Sequence, residues 1–252
     1  MDAERPADAP TPKPAAPRVP ALAYVLPLFS VLLTAVYWYD TRQEIATLKQ
    51  GHAQLSADLD AARGMSTVNV AGAPAKGDAR QVLTLIEYSD YECPFCIRHF
   101  TQTMPEIESK WIQTGKLRYV FRDFPIDSLH PAAIRGHEAT RCANEQGKFW
   151  ELHTKMFSPP GSHVPEQIEA RAAEAGLAMA PFQNCVTSGK FNADIQKSVQ
   201  SAVELGANGT PAFFVGLRNP DTEDVRIITA VSGAQPFEAF EKAFAAVTAR
   251  MQ

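Results

Sequence analysis

The cysteine pair in residues 93–96 (CPFC) constrains the fold of this chain more than any other feature, because of where it stands. Residues 81–88 (QVLTLIEY) before it are rich in β-branched and apolar side chains, which predicts a buried β-strand. Residues 97–114 after it carry apolar side chains at helical spacing, and Gly115 ends that pattern. The two cysteines therefore stand where a strand leads directly into the N-terminus of a helix.

This placement gives the two cysteines different chemistry. The first amide groups of a helix lack hydrogen-bond partners and the helix dipole is positive there, so a thiolate at Cys93 is stabilised. A lowered pKa increases the fraction of attacking thiolate at neutral pH and makes Cys93 a better leaving group in a mixed disulfide. Cys96 stands one helical turn further along, where it is expected to be more enclosed and able to resolve that mixed disulfide.

A metal or haem site fits the cysteine pair less well than redox chemistry. A zinc site would need a second pair of ligands, and Cys142 and Cys185 are too far apart in sequence to supply one, even with His99 added. A c-type haem needs a histidine directly after the second cysteine, where Ile97 stands instead. We therefore expect no metal and no cofactor. A non-enzymatic domain that binds soft Cu(I) through the two thiolates remains an alternative.

Residues 1–39 predict a tail and a membrane anchor. Residues 1–18 are rich in proline and alanine with little apolar surface to bury, which favours a disordered tail. Residues 19–39 carry no charge and would span about 31 Å as a helix, close to the hydrocarbon thickness of a bilayer. The run ends in Tyr-Trp-Tyr, and such aromatic residues favour the membrane–water interface. A cleaved signal peptide and a buried core helix are the alternatives, but both are usually shorter than this run.

Residues 40–80 predict a helical stem over 40–64, followed by a flexible linker over 65–80. The stem pattern consists of side chains at alternating spacings of three and four, namely Ile45, Leu48, His52, Leu55 and Leu59. This is the spacing of a short coiled coil, which would make a homodimer through the stem, but it also fits a plain amphipathic helix. Two glycines and a proline in residues 72–77 favour the linker.

Four motifs, in order, resemble the DsbA-like branch of the thioredoxin superfamily. They are IEYSDYECPFC, VFRDFPI, RCANEQGKFWELH and GTPAFFVG. The likeness runs from about Val82 to about Ala246. It implies an α/β thioredoxin fold over residues 81–252, with a helical insertion at about 131–205 between the two halves of the fold.

The resemblance also implies roles for individual residues. Cys93 matches the nucleophilic cysteine and Cys96 the resolving one. Pro211 matches the cis-proline that lies against the active disulfide, with Thr210 immediately before it. Glu87 matches the buried acid that assists proton transfer, although a strand alternates its faces and Glu87 could also be an outward residue.

Cys142 and Cys185 both fall in the predicted helical insertion, and their state is left open by the sequence. In a reducing compartment they would be two small buried apolar residues. In an oxidising compartment they could form a structural disulfide that closes a loop of about 44 residues.

Composition and resemblance together define the expected function. The chain is 45% apolar and 21% charged with a net charge of −4, which excludes wholesale disorder and gives no indication of nucleic-acid binding. With its anchor, the chain is expected in the bacterial inner membrane as a single-pass protein, with the catalytic domain in the periplasm. Its expected partners are protein thiols or disulfides as substrates and a membrane or periplasmic redox partner that recycles the pair.

The direction of exchange is less tightly defined by the sequence. The resemblance implies an oxidant that introduces disulfides into secreted proteins. However, Phe95 stands where a family oxidant commonly has a histidine that helps hold the thiolate. Thr210 also occurs in isomerase and reductase relatives, so an isomerase or reductase is the alternative.

Overall fold

The computed structural model describes residues 37–45, 47–48, 51, 66–157 and 163–251. Residues 37–45 form a helix, and 47, 48 and 51 are also helical; these residues span the end of the predicted anchor and the start of the predicted stem. The predicted tail, most of the predicted anchor and the rest of the stem lie outside the described residues. Among the helices that the structure describes, none is both long and apolar enough to cross a bilayer. The anchor therefore remains a prediction.

The described residues between 66 and 251 form one mixed sheet of six strands. The strands are β1 Thr67–Asn69, β2 Ala75–Lys76, β3 Leu83–Ser89, β4 Arg118–Asp123, β5 Ala212–Arg218 and β6 Asp224–Ser232. Their order across the sheet is β1-β6-β5-β3-β4-β2. Strands β3 and β4 are parallel, and every other pair is antiparallel. The strand that leads into the cysteine pair thus lies in the interior of the sheet.

Both faces of β3 are covered, which explains why all seven of its residues are buried. Leu83 and Leu85 pack into the larger core, beneath the helix that carries the cysteine pair and the C-terminal helix. Ile86 and Tyr88 point to the opposite face and pack into a second, smaller core. Because faces alternate along a strand, Glu87 points into the larger core, on the side of the cysteines.

The helix after the cysteine pair begins at Pro94 and alternates between two geometries. Its α-helical segments are α1 Pro94–Arg98 and α2 Met104–Ile107, and π-helical turns occupy His99–Thr103 and Glu108–Ile112. Pro105 lacks the N–H that a regular α-helix would use, and the first π turn comes just before it. The helical spacing predicts the helix but not this irregularity.

Between β4 and β5, where the helical insertion is predicted, the described residues form five helices. They are α3 Ala133–Asn144, α4 Phe149–Met156, α5 Pro165–Glu174, α6 Met179–Ser188 and α7 Asn192–Glu204. Cys142 on α3 and Cys185 on α6 form a disulfide, with their Cα atoms 5.8 Å apart. A last helix, α8 Phe237–Thr248, follows β6 and packs on the larger core.

The predicted linker over residues 65–80 is wrong, because this segment supplies both edge strands of the sheet. Strand β1 pairs with β6, and Val68 within it is buried in the smaller core. Strand β2 pairs with β4 and is followed by Gly77 at φ +94°, where a Cβ would lie 2.4 Å from the carbonyl oxygen of Leu117. That glycine therefore permits a close backbone contact instead of the flexibility that the sequence pattern predicts.

Candidate functional site

Cys93 occupies the N-cap position of α1, with extended backbone geometry and Pro94 as the first helical residue. This is the arrangement expected from the sequence, because the missing N–H of a proline costs nothing at the start of a helix. The side chain is almost fully buried, with 4% of the residue exposed. Its Sγ lies 3.4 Å from the carbonyl oxygen of Thr210.

The surroundings of Cys93 favour its thiolate. Its pKa is lowered from 9.0 to about 6, mainly by a hydrogen bond from the thiol of Cys96. The side chain of Thr210 and the backbone N–H groups of Phe95 and Cys96 lower it further, while burial opposes them. These amides are the unpaired donors at the start of the helix. Cys93 is therefore mostly ionised at neutral pH.

Cys96 has the opposite character. It is fully buried, and burial together with the neighbouring Cys93 raises its pKa well above 9.0. The backbone N–H of Asp90 lies 3.5 Å from its Sγ. The structure thus contains one reactive, ionised thiol next to one protonated, enclosed thiol, which is the asymmetry that two-step thiol exchange requires.

The loop opposite the cysteines contains a cis peptide bond between Thr210 and Pro211. The structure places Thr210 in direct contact with the reactive sulfur. Pro211 then leads into β5, which pairs with the strand that ends at the cysteines. Residues distant in sequence are therefore brought to the same site by adjacent strands of one sheet.

Glu87 is 2% exposed and points inward, so it is not an outward residue of its strand. The hydroxyl of Tyr119 donates a hydrogen bond of 2.7 Å to its Oε2. Burial raises the pKa of Glu87 to about 7, with Tyr119 and Ser89 acting in the opposite direction. The buried Ser89 hydroxyl also lowers the pKa of Cys96, although its Oγ has no hydrogen-bond partner within the described residues.

Asp90 is a residue of the site that the sequence did not reveal. It is fully buried, and its Oδ1 accepts a hydrogen bond from the backbone N–H of Glu92. Its Oδ2 accepts one from the backbone N–H of Ile126 and lies 2.8 Å from Nδ1 of His130. An aspartate that starts a turn is a recognisable local signal, but its partners thirty or more residues away are not.

Four histidines whose sequence spacing predicts only surface or packing roles have polar partners in the structure. His130 pairs with Asp90, His137 with Asp123, His153 with Tyr91, and His163 with Glu92. Asp123 also pairs with Arg141. Burial alone would raise the pKa of Asp123, but His137 and Arg141 outweigh it and lower that pKa to about 2.

These polar pairs do not make a metal site. Within the part of the chain that the structure describes, no three histidine, cysteine or acidic side chains are grouped so that they could hold a metal ion. His153 and His163 instead tie the insertion to the segment just before Cys93, and His137 ties it to the end of β4.

Comparison with known proteins identifies the family. A sequence model of the thioredoxin family matches residues 70–227, well over half of the chain. The chain belongs to the thioredoxin family. The match includes the cysteine pair, the cis-proline loop and strands β2 to β5 in full.

Solved structures similar to this thioredoxin domain include DsbA-like proteins. A thioredoxin-like oxidoreductase from Silicibacter pomeroyi is 27% identical, with a TM-score of 0.59 over 71% of this chain and 93% of the other. Wolbachia pipientis alpha-DsbA1 is 21% identical, with a TM-score of 0.63 over 73% and 94%. Oxidised BdbD from Bacillus subtilis is 15% identical, with a TM-score of 0.61 over 72% and 95%. The last two proteins are similar to this chain in fold.

Curated relatives of this thioredoxin domain carry a different name. The Na(+)/H(+) antiporter NhaA 1 of Salinispora arenicola is 29% identical over 156 residues, which are 62% of this chain and 23% of the antiporter. The antiporter NhaA of Herminiimonas arsenicoxydans is 34% identical over 157 residues, again 62% of this chain and 24% of the other. This chain therefore covers about a quarter of the length of these relatives.

Proposed function

We propose that this thioredoxin-family protein is a thiol–disulfide oxidoreductase that exchanges disulfides with protein thiols through Cys93 and Cys96. The observation that carries the proposal is the contrast between the two thiols, one ionised at neutral pH and one protonated and buried. A substrate sulfur bonds to Cys93, and the resulting mixed disulfide is resolved without a bound cofactor. Antiport is not part of the proposal, because the matched region is about a quarter of the antiporter chains.

The direction that we propose is oxidation of substrate thiols by a mild oxidant. A thiol pKa of about 6 lies between the values of about 7 for thioredoxin and about 3.5 for the strong oxidant DsbA. The more the thiolate is stabilised, the more oxidising the disulfide becomes. Phe95 is 54% exposed and has no side-chain donor to offer the sulfur, which favours reduction or isomerisation as the second candidate.

The proposed location is the periplasmic side of a bacterial inner membrane. The uncharged residues 19–39 support a single-pass anchor, and the Cys142–Cys185 disulfide supports an oxidising compartment. A membrane or periplasmic redox partner would then reoxidise Cys93 and Cys96. Pairing of two copies through the stem over 40–64 is part of the same proposal.

The reduction potential of the Cys93–Cys96 pair tests the direction. We expect a value between about −120 mV and about −270 mV, together with catalysed refolding of a reduced, disulfide-containing protein. A value at or below about −270 mV, with reduction of insulin-like disulfides instead, would overturn oxidation in favour of reductase activity. Rescue of a scrambled protein without net oxidation would identify an isomerase.

Two variants test exchange through Cys93, and Cu(I) binding by the wild type tests the metal-binding alternative. Cys93→Ser should abolish oxidation, reduction and isomerisation of substrates. Cys142→Ala with Cys185→Ala should retain whichever of these activities the wild type has, because that disulfide lies in the helical insertion. Activity that survives in Cys93→Ser would contradict the proposal. Stoichiometric Cu(I) binding by an inactive wild-type chain would support the metal-binding alternative.

A further inference from the structure

His99 is a buried histidine that the exchange chemistry described above does not use. It lies on the same helix as Cys96, with 1% of the residue exposed, and its ring packs between Phe213 and Phe240 at centroid distances of 4.4 and 5.3 Å. In the part of the chain that the structure describes, neither of its ring nitrogens makes a hydrogen bond. Buried polar groups are nearly always paired, so an unpaired imidazole at this depth needs a specific reason.

The backbone directs the His99 ring toward Glu87. His99 opens the first π turn, and its carbonyl oxygen accepts a hydrogen bond from the backbone N–H of Met104, five residues later. Such π turns are frequent at functional sites, where they redirect a side chain. The His99 Nε2 lies 3.6 Å from Oε2 of Glu87, just beyond hydrogen-bond distance.

Few titratable groups face the Glu87 carboxyl. Tyr119 on β4 donates its hydroxyl, Ser89 lies on the same strand, and Tyr91 follows in the next loop. From β5 and α8, the rings of Phe213 and Phe240 pack against His99. Like these hydroxyls, the His99 ring can act as a donor or, through its ring lone pair, as an acceptor without itself becoming charged, and within the described residues both of its nitrogens are still unbonded.

The protonation states suit such a partnership. Burial lowers the pKa of His99 to about 3, so the ring is neutral at physiological pH, while Glu87 titrates at about 7. A neutral imidazole can donate an N–H to an ionised carboxylate or accept a hydrogen bond from a protonated carboxyl. Closing the gap by a few tenths of an ångström would form either bond.

We propose that His99 is a positioning residue that holds the Glu87 carboxyl in both protonation states, so that Glu87 can exchange a proton with Cys96. This inference rests on the proposed thiol–disulfide exchange. When a substrate thiolate attacks Cys93, a new S–S bond forms and the Cys93–Cys96 bond breaks. Its electron pair goes to the Cys96 sulfur, which receives the proton of Glu87. His99 then donates to the carboxylate that remains.

A titration of the oxidised full chain tests the inference without any substrate. With nitrogen-15 in the histidines and carbon-13 in the glutamates, we expect the His99 ring nitrogen shifts to follow the ionisation of Glu87 near pH 7. His153, also buried but bonded to the hydroxyl of Tyr91, is the internal control and should stay constant. The response should vanish in Glu87→Gln. A flat His99 signal across the Glu87 titration would overturn the proposal.

Two variants give a kinetic test. His99→Phe keeps a ring between Phe213 and Phe240 but removes the nitrogens, whereas His99→Gln keeps a donor and an acceptor. We expect the inflection in the pH profile for reaction with a reduced peptide to move up by about one pH unit in His99→Phe, and Gln to restore it. Identical profiles in all three proteins would overturn the proposal. Absence of any reaction in the wild type would instead refute the proposed function, and the titration would still decide the role of His99.

Discussion

Removing the thiol of Cys96 should make Cys93 a weaker nucleophile at neutral pH. The hydrogen bond from Cys96 is the largest of the interactions that lower the pKa of Cys93. Cys96→Ala removes this donor, while Cys96→Ser keeps an O–H donor in nearly the same place. The two variants therefore differ in the hydrogen bond and little in anything else.

The size of the effect follows from the interactions around Cys93. Four hydrogen bonds lower its pKa from 9.0 to about 6 against the opposing effect of burial. That difference of about three corresponds to about 4 kcal/mol, as an upper value. The hydrogen bond from Cys96 is the largest of the four, so it supplies at least a quarter of this free energy, or about 1 kcal/mol. Cys96→Ala should thus raise the pKa of Cys93 to about 7, and the ionised fraction at pH 7 should fall from about nine-tenths to about half.

Ultraviolet titration of the thiolate and the pH dependence of alkylation by iodoacetamide both measure this pKa. In the reduced wild type the first titration belongs to Cys93, because the pKa of Cys96 is far higher. We expect the pKa of Cys93 to increase from the wild type to Cys96→Ser and again to Cys96→Ala. If Cys96→Ala still titrates at about 6, the helix N-terminus alone stabilises the thiolate and the reasoning fails.

Three further predictions concern stability and the buried acids. Cys142→Ala with Cys185→Ala should lower the free energy of unfolding by about 4 kcal/mol, because the disulfide closes a loop with a sequence separation of 43; a loss below about 1 kcal/mol in urea unfolding would contradict this. Asp123 has a pKa of about 2 instead of 3.8, so it contributes about 2 kcal/mol to the free energy of unfolding above pH 4, and this contribution is lost as pH falls toward 2. In Asp123→Asn, the free energy of unfolding should depend less on pH between 4 and 2. Tyr119→Phe removes a donor to Glu87 and should raise the pKa of this carboxyl above about 7, as measured by carbon-13 NMR.

Local sequence signals predicted the centre of the site. Strand β3 was recognisable because both of its faces are apolar, and the helix after it because its apolar spacing runs through Ile107. The position of Cys93 at the helix N-cap follows from these two elements alone. The inward direction of Glu87 did not, since strand alternation permits either face until the core is known.

The features that the sequence did not reveal depend on contacts between distant segments. Apart from alanines, residues 65–80 contain three apolar side chains, namely Met65, Val68 and Val70, and only pairing with β4 and β6 makes two short stretches of this segment into strands. The unusual direction of His99 results from a π turn before Pro105, which helical spacing cannot indicate. Whether Cys142 and Cys185 pair depends on how α3 packs against α6.

The hydrogen bonds of Asp90 have a consequence for how this protein can change over evolution or by design. The side chain holds the 126–130 loop through the backbone N–H of Ile126 and the ring of His130. Its own backbone carbonyl meanwhile accepts the N–H of Cys93. None of these bonds uses a side chain between Ile126 and His130. Leu129, which is 69% exposed, can therefore be replaced without moving Cys93. The side chains of residues 127–129 and the position of Cys93 are thus separable traits, and a library of variants over 127–129 should leave the hydrogen bonds that place Cys93 unchanged.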